Sequence, residues 1–365
     1  MAARIIQVGE PVPWFVCRSP ANPNFQFDSV AGRYIVLCFF GSAANAVSQR
    51  VLSAVLAHRK LFDDTNACFF GVSIDPADES ENRVRNSIPG VRFLWDFDES
   101  VSRTFGAISK PSDKSVERLH HPLTYVLDER LRVLAILPFG TDPDLHVTKL
   151  VDFLRSRPVI SPAVAARPCA PVLEVPRVFE PELCRTLIDY FESNGGHESG
   201  YVREDNGLTV RVRDYRHKQR RDQLIHDESL RAAVKHRLRV RLVPEIAKAF
   251  QFQATRLERY IVACYDSNTG GHFSPHRDNQ TKGTAHRRFA ASINLNDDFE
   301  GGDLRFPEFG QQVYKPPTGG AVVFSCSLLH EATPITIGKR YACLPFLYDE
   351  AAAEIREANL KYLSD

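Results

Sequence analysis

The chain has 365 residues, of which 43% are hydrophobic and 25% charged, a composition that excludes disordered and fibrous classes and fits a globular protein. Its formal net charge is +1, so no whole-protein field draws it to nucleic acid or to a membrane surface. The length exceeds one ordinary core and suits two domains of roughly 150–190 residues.

The N-terminal stretch MAARIIQVGEPVPWF lacks the long apolar core of a secretion signal. No run reaches the ~18 apolar residues of a membrane-spanning helix. Residues 35–40 and 67–74 are continuous apolar runs, the pattern of strands buried on both faces. Between them, residues 44–62 carry Val47, Val51 and Val55 at helical spacing. A third strand is expected at 93–97 and a hairpin from 123–127 to 133–137 across DERLR. A last helix follows at 142–155, with Leu145, Leu150, Phe153 and Leu154 on its apolar face. A βαβ unit followed by a hairpin and a helix predicts an α/β thioredoxin-like domain over 1–157. Residues 158–176 are rich in proline and small residues and read as an extended linker.

The domain expected over 177–365 begins helically, at 181–193 and at 227–250 with a break at Pro244. From Leu257 the pattern changes to short strands, in RLERYIVACY, FAASINLN, AVVFSC and RYACLPFLY. These predict a mainly β double-stranded β-helix, or jelly roll, with supporting helices. The eight cysteines include no C-x-x-C pair, and several lie in apolar runs. They read as buried reduced thiols, and the expected compartment is the cytoplasm.

The segment GGHFSPHRDN holds His276 and Asp278 two residues apart, so a strand would turn both to one face. His330 ends the apolar run GGAVVFSCSLLH and supplies a third ligand. Two imidazoles and a carboxylate on one face of an ion form the facial triad of non-haem iron oxygenases. H-x-D alone is a weak signal. Arg340, ten residues after His330, strengthens it, because a buried guanidinium there binds a carboxylate bidentately. Tyr265 lies close enough in sequence to assist, and Gly301-Gly302 fits a tight turn.

Residues 264–348 resemble the catalytic core of the prolyl hydroxylase branch of the iron(II)- and 2-oxoglutarate-dependent oxygenases. ACYDSNTGGHFSPHRDN, INLNDDFEGGDLRF and LLHEATPITIGKR carry the resemblance. It implies that His276, Asp278 and His330 hold Fe(2+) and that Arg340 binds the distal carboxylate of 2-oxoglutarate, with Tyr265 as a second cosubstrate residue. Many collagen-type members carry Lys at the position of Arg340. O2 is then the other cosubstrate and L-ascorbate the supporting reductant. The carboxylate ligand favours hydroxylation over halogenation. The implied activity is hydroxylation of a C–H on a prolyl or other side chain in a protein or peptide. A free amino acid or small metabolite is the alternative substrate, and a redox-responsive sensor or binding protein is the alternative class.

Residues 9–155 resemble a peroxiredoxin through GEPVPWF, AGRYIVLCFFGSAANAVSQR and LTYVLDERLRV. The match puts Ser48 at the position of the peroxide-attacking cysteine and Asn45 at the usual threonine, with no arginine near Pro122–Tyr125. The resemblance therefore implies a peroxidase scaffold without its chemistry, suited to docking a partner, dimerising or regulating. Pro122 is the candidate cis-proline. Two basic stretches stay open. Residues 211–221, with Arg211, Arg213, Arg216, Lys218, Arg220 and Arg221, read first as a solvated face and second as a contact surface for an acidic peptide or nucleic acid. In the loop 279–288, His286, Arg287 and Arg288 either bind an acidic substrate or form a solvated hairpin tip.

Overall fold

The computed structural model describes residues 6–109, 119–162 and 169–363. The chain divides into two compact units, Met1–Val164 and Ala165–Asp365. Among the described residues no helix is long and apolar enough to cross a membrane.

The first unit is an α/β thioredoxin fold. Its strands are β1 (Val16–Ser19), β2 (Asn22–Gln26), β3 (Tyr34–Gly41), β4 (Ala67–Ser73), β5 (Val91–Trp95), β6 (Leu123–Leu127) and β7 (Val133–Pro138). They form one sheet in the order β2-β1-β5-β4-β3-β6-β7. β3, β4 and β5 are parallel, and β6 joins β3 antiparallel. The apolar run in β3 serves two cores at once. Ile35, Leu37 and Phe39 enter one, and Val36, Cys38 and Phe40 the other. That is why its sequence shows no polar alternation. Helices α1 (Ala46–Ala57) and α2 (Pro143–Arg155) cover the second core with Val51, Val55, Val147 and Leu150.

Asn45 caps α1, its side chain accepting from the backbone N–H groups of Val47 and Ser48. Ser48 is buried in the first turn, and its hydroxyl donates to the Phe40 carbonyl at 2.7 Å. No thiol therefore stands at this helix N-terminus. Burial pushes the Cys17 and Cys38 thiols up to about 12 and that of Cys68 to about 11, the opposite of an activated nucleophile. The cis peptide among the described residues is Ile88–Pro89, not the bond before Pro122.

The second unit is a jelly roll with supporting helices. Its major sheet runs β8-β17-β14-β19-β12-β11-β9, and its minor sheet β10-β13-β18-β15-β16. In chain order these are β8 (Leu173–Val175), β9 (His197–Glu198), β10 (Lys218–Gln219), β11 (Arg221–Leu224), β12 (Ile261–Asp266), β13 (His272–His276), β14 (Phe289–Asn294), β15 (Leu304–Arg305), β16 (Val313–Tyr314), β17 (Ala321–Ser325), β18 (His330–Ala332) and β19 (Lys339–Cys343). β8 lies inside the segment expected to be an extended linker, pairing with β17 as an edge strand. Helix α3 (Pro181–Asn194) and the pair α4 (Glu228–Arg237) and α5 (Val243–Phe250) pack on one face of the major sheet through Leu187, Phe191, Val234 and Ile246. Between α4 and α5 the backbone takes a π turn at Leu238–Leu242. Pro244 has no N–H to continue the regular ladder.

The opposite face of the major sheet is polar where it matters. Tyr265, Ser292, Asn294 and Arg340 are buried there, on β12, β14 and β19. A hairpin of Tyr201–Asp205 and Leu208–Val212 was not expected, although Asn206-Gly207 at its tip, both at positive φ, is a strong hairpin signal.

Seven of the eight cysteines are buried and Cys169 is exposed. A thiol reagent added to the native chain should modify Cys169 quickly and the other seven only on unfolding. With thiol reductant supplied, peroxide consumption should not exceed that of the buffer. Rapid turnover lost in a Cys17, Cys38 or Cys68 variant would show an active thiol in the first unit.

Candidate functional site

The site is set by one strand register. His276 on β13 stands directly opposite His330 on β18, with ring centroids 4.3 Å apart. Between Phe273 and His276 the register shifts, β13 taking one residue more than its partner. Such a bulge re-aims side chains, and Pro275, which has no N–H for the ladder, sits in it. In a regular strand, residues three apart point to opposite faces. Here Phe273 stacks on His276 instead, with centroids 3.5 Å apart and planes 20° from parallel.

Asp278 follows two residues after His276, its backbone N–H held by the Cys326 carbonyl at 3.0 Å. Its Oδ1 lies 3.6 Å from His276 Nε2 and its Oδ2 3.3 Å from His330 Nε2. All three side chains offer ligand atoms within 4.8 Å of one another, an arrangement able to hold a metal ion. The far ring nitrogens are pinned. His276 Nδ1 is 2.8 Å from the Ser274 carbonyl, and His330 Nδ1 is 3.0 Å from the Leu328 carbonyl. A carbonyl only accepts, so each Nδ1 carries the proton and each Nε2 keeps its lone pair for a metal. Burial and the neighbouring His330 push His276 down to about 4, which keeps it neutral. Burial alone would raise the Asp278 carboxyl, but His330 and His276 outweigh it and hold the group well below the usual carboxylate range.

Arg340 is buried and pairs in register with Tyr265. Its guanidinium donates to Asn294 Oδ1 at 3.0 and 3.1 Å, to Ser292 Oγ at 2.7 Å and to the Gly302 carbonyl at 2.8 Å. It forms no ion pair among the described residues. Asp303 is near enough to feel its charge, yet one of its oxygens is buried without a partner, and burial pushes its carboxyl up. The turn that presents the Gly302 carbonyl needs its glycines. Gly301 and Gly302 have φ of +70° and +65°, and a Cβ on Gly301 would lie 2.4 Å from the Pro334 carbonyl oxygen. Tyr265 uses its hydroxyl to accept from Arg220 at 3.2 Å.

The basic stretch 211–221 divides in a way that its composition did not indicate. Arg211, Arg213 and Arg216 are partly or largely exposed, whereas Lys218 and Arg220 are buried near Phe273. Arg220 grips Asp222 with two bonds of 2.7 Å. Lys218 Nζ donates to Ser199 Oγ at 2.8 Å and to the Gly200 carbonyl at 2.7 Å, and lies 4.8 Å from the Phe273 ring centroid. The signal was a period of two, Lys218, Arg220 and Asp222, where the chain crosses from the minor to the major sheet.

In the loop 279–288, His286 is buried rather than at a solvated tip, and it and Arg287 have an acidic partner within the chain. His286 is bound to Glu258 at 2.8 Å and Arg287 to the same carboxylate at 2.7 Å. Arg288 donates to the Ala285 carbonyl. Burial would raise Glu258, but the His286 hydrogen bond and the Arg287 charge hold it at about 2. These residues brace the loop, and Arg287 also reaches the Asp278 carbonyl at 3.3 Å.

This geometry meets its relatives in the same stretch of chain. Residues 260–348 match the model of the 2OG-Fe(II) oxygenase superfamily. Iron(II) and 2-oxoglutarate are what that superfamily implies. Residues 8–136 match the AhpC/TSA family, so the first unit resembles the peroxiredoxins but lacks their reactive cysteine. A PKHD-type hydroxylase of Pseudomonas fluorescens is 36% identical over 91 residues, which are 22% of this chain and 39% of that protein. One from Nitrosomonas europaea is 30% identical over 110 residues, 27% of this chain and 48% of that protein. The chain thus spans less than half the length of these curated relatives. Among solved structures, a Pseudomonas putida prolyl-4-hydroxylase aligns with a TM-score of 0.38 at 17% identity, over 50% of this chain and 94% of that one. The peroxidoxin BcpB of Mycobacterium tuberculosis aligns with a TM-score of 0.36 at 20% identity, over 41% of this chain and 97% of that one.

If Glu258 braces the loop, removing its charge strands two buried partners. Glu258→Gln should lower stability by about 3 kcal/mol, the scale for breaking one side of a buried pair. Denaturant unfolding checks this, and an unchanged midpoint would return His286 and Arg287 to the candidate binding residues.

Proposed function

We propose that the second unit is an iron(II)- and 2-oxoglutarate-dependent hydroxylase, with His276, Asp278 and His330 as the metal ligands. The observation that carries this is the pair of pinned imidazoles facing one partly buried carboxylate within a segment that matches the oxygenase superfamily. Two neutral imidazoles and a carboxylate are the donor set that suits iron(II), with positions left for cosubstrate and oxygen. When bound, iron(II) and 2-oxoglutarate supply the activation of oxygen that hydroxylates a substrate C–H and leaves succinate, with ascorbate keeping the metal ferrous.

The protein's own part is placement. Ser274 and Leu328 carbonyls fix both imidazole tautomers. Arg340 offers a buried guanidinium to the distal carboxylate of 2-oxoglutarate, and Tyr265 lines that pocket from the neighbouring strand. Phe273 and Phe324 lie against the two histidines and keep water from the ring faces. The substrate class in this reading is a prolyl or other side chain of a protein or peptide. The first unit serves as a docking or dimerising module, and its buried reduced thiols suit the cytoplasm.

Two substitutions test the reading. Asp278→Ala removes the anionic ligand and should abolish iron-dependent conversion of 2-oxoglutarate to succinate while the fold, followed by circular dichroism, persists. Arg340→Ala should weaken anaerobic 2-oxoglutarate binding at least tenfold, since truncating one side of a buried charge pair costs about 2–5 kcal/mol. Turnover retained in the first, or affinity unchanged in the second, would remove the corresponding assignment.

A further inference from the structure

Beside the triad stands a group of cations with one acid between them. Asp222 is fully engaged. Arg220 binds both of its oxygens, Ser199 Oγ donates to Oδ2 at 2.6 Å, and Arg259 Nη2 reaches the same oxygen at 3.3 Å. Lys218 meets Asp222 only through Ser199, whose hydroxyl accepts from the ammonium and donates to the carboxylate. No carboxylate lies within 4 Å of Lys218 among the described residues, and two bonds leave its third N–H uncommitted. Arg259 makes one hydrogen bond from a side chain about a third exposed. A buried ammonium without an anion is costly unless a ligand completes it.

The charges of the proposed reaction do not complete it. Of the two carboxylates of 2-oxoglutarate, one is matched by the metal with Asp278 and the other by Arg340. Neither remains for Lys218 and Arg259. Their position is suited to a substrate. Lys218 sits over Phe273, and Phe273 is stacked on His276.

Resting on the hydroxylase reading, we propose that Lys218 and Arg259 form an anion subsite beside the metal and that the substrate presents a carboxylate to it. The carboxylate can belong to a free amino acid or to an acidic residue of a peptide, and the two sources share this chemistry.

Small probes decide the matter. The full chain is loaded with manganese(II) and 2-oxoglutarate, and NMR relaxation of methyl protons is followed as acetate, or its neutral match acetamide, is added. Acetate should show a saturable paramagnetic enhancement and acetamide none. Lys218→Met should weaken acetate at least tenfold, about 1.4 kcal/mol, and Lys218→Arg should retain it. Arg259→Gln, at a more exposed position, should weaken it about threefold and decides the case if Lys218→Met does not fold. Affinity for 2-oxoglutarate should stay within about twofold throughout. Competition separates the sources. Displacement of acetate by free amino acids supports a small substrate, and displacement by blocked peptides containing Asp or Glu supports an acidic peptide. Displacement by neither overturns the proposal. So does equal enhancement by acetate and acetamide, or acetate binding unchanged in the folded variants. Loss of 2-oxoglutarate affinity in Lys218→Met would assign these cations to the cosubstrate and overturn it as well. Failure of the unaltered chain to bind 2-oxoglutarate would instead bring down the hydroxylase reading, and this one with it.

Discussion

The pairing of His276 with His330 across β13 and β18 is the constraint on which the second unit depends. Cross-strand neighbours bring side chains within direct reach, and a slip of one residue would turn one imidazole to the opposite face. The bulge before His276 adds a second condition. It folds Phe273 onto the His276 ring, and Phe273 in turn pairs with Lys218 on β10. One irregularity in one strand therefore connects the cluster of His276, Asp278 and His330 to the cations beyond it. Pro275 makes it a feature of the sequence, because the residue at that point has no donor to give the ladder.

The second constraint is alternation on the inner face of the major sheet. Its strands bury apolar side chains under the helices on one side, including Val262, Cys264, Ile293, Tyr341 and Cys343. The intervening positions, Tyr265, Ser292, Asn294 and Arg340, face the other way and are buried and polar. A buried arginine survives there because Asn294, Ser292 and Gly302 take four of its five N–H groups while none of them neutralises its charge. The sheet thus holds a guanidinium fixed in place with its charge uncancelled by an ion pair among the described residues.

Much of this was legible in the sequence because it follows local rules. The apolar runs of β3 and β4, the helical spacing of α1 and α3, and the change to short strands after Leu257 each declare their element by periodicity. H-x-D and the later His and Arg declared the candidate site by chemistry. What was hidden depends on long-range pairing. Lys218 and Arg220 sit in a run whose composition is that of a solvated surface, and only contact with β13 and β12 buries them. Arg287 and His286 pointed the other way. Their charge suggested a ligand, and Glu258, some 28 residues earlier, had already claimed both. Charge in a sequence reveals a demand for a partner without revealing where in the chain the partner is.

In the first unit the start of α1 is built for packing. The Ser48 hydroxyl donates to Phe40 where a thiolate would need solvent access and helix-terminal stabilisation. Asn45 spends its side chain on the cap of α1. Both residues spend their side chains on the helix start, and the position is part of the packing. The second unit shows the opposite balance. Around Asp222 it keeps two arginines on one carboxylate and a third cation, Lys218, behind Ser199, a grouping that a search for stability alone would relieve with an apolar side chain or another acid. Departures from local consistency of this kind concentrate where a protein binds something. A group of cations left positive beside the cluster of His276, Asp278 and His330 also draws anions by its field before contact is made. The cost of burying Lys218 and the attraction that it exerts on an incoming carboxylate are therefore two consequences of the same missing partner.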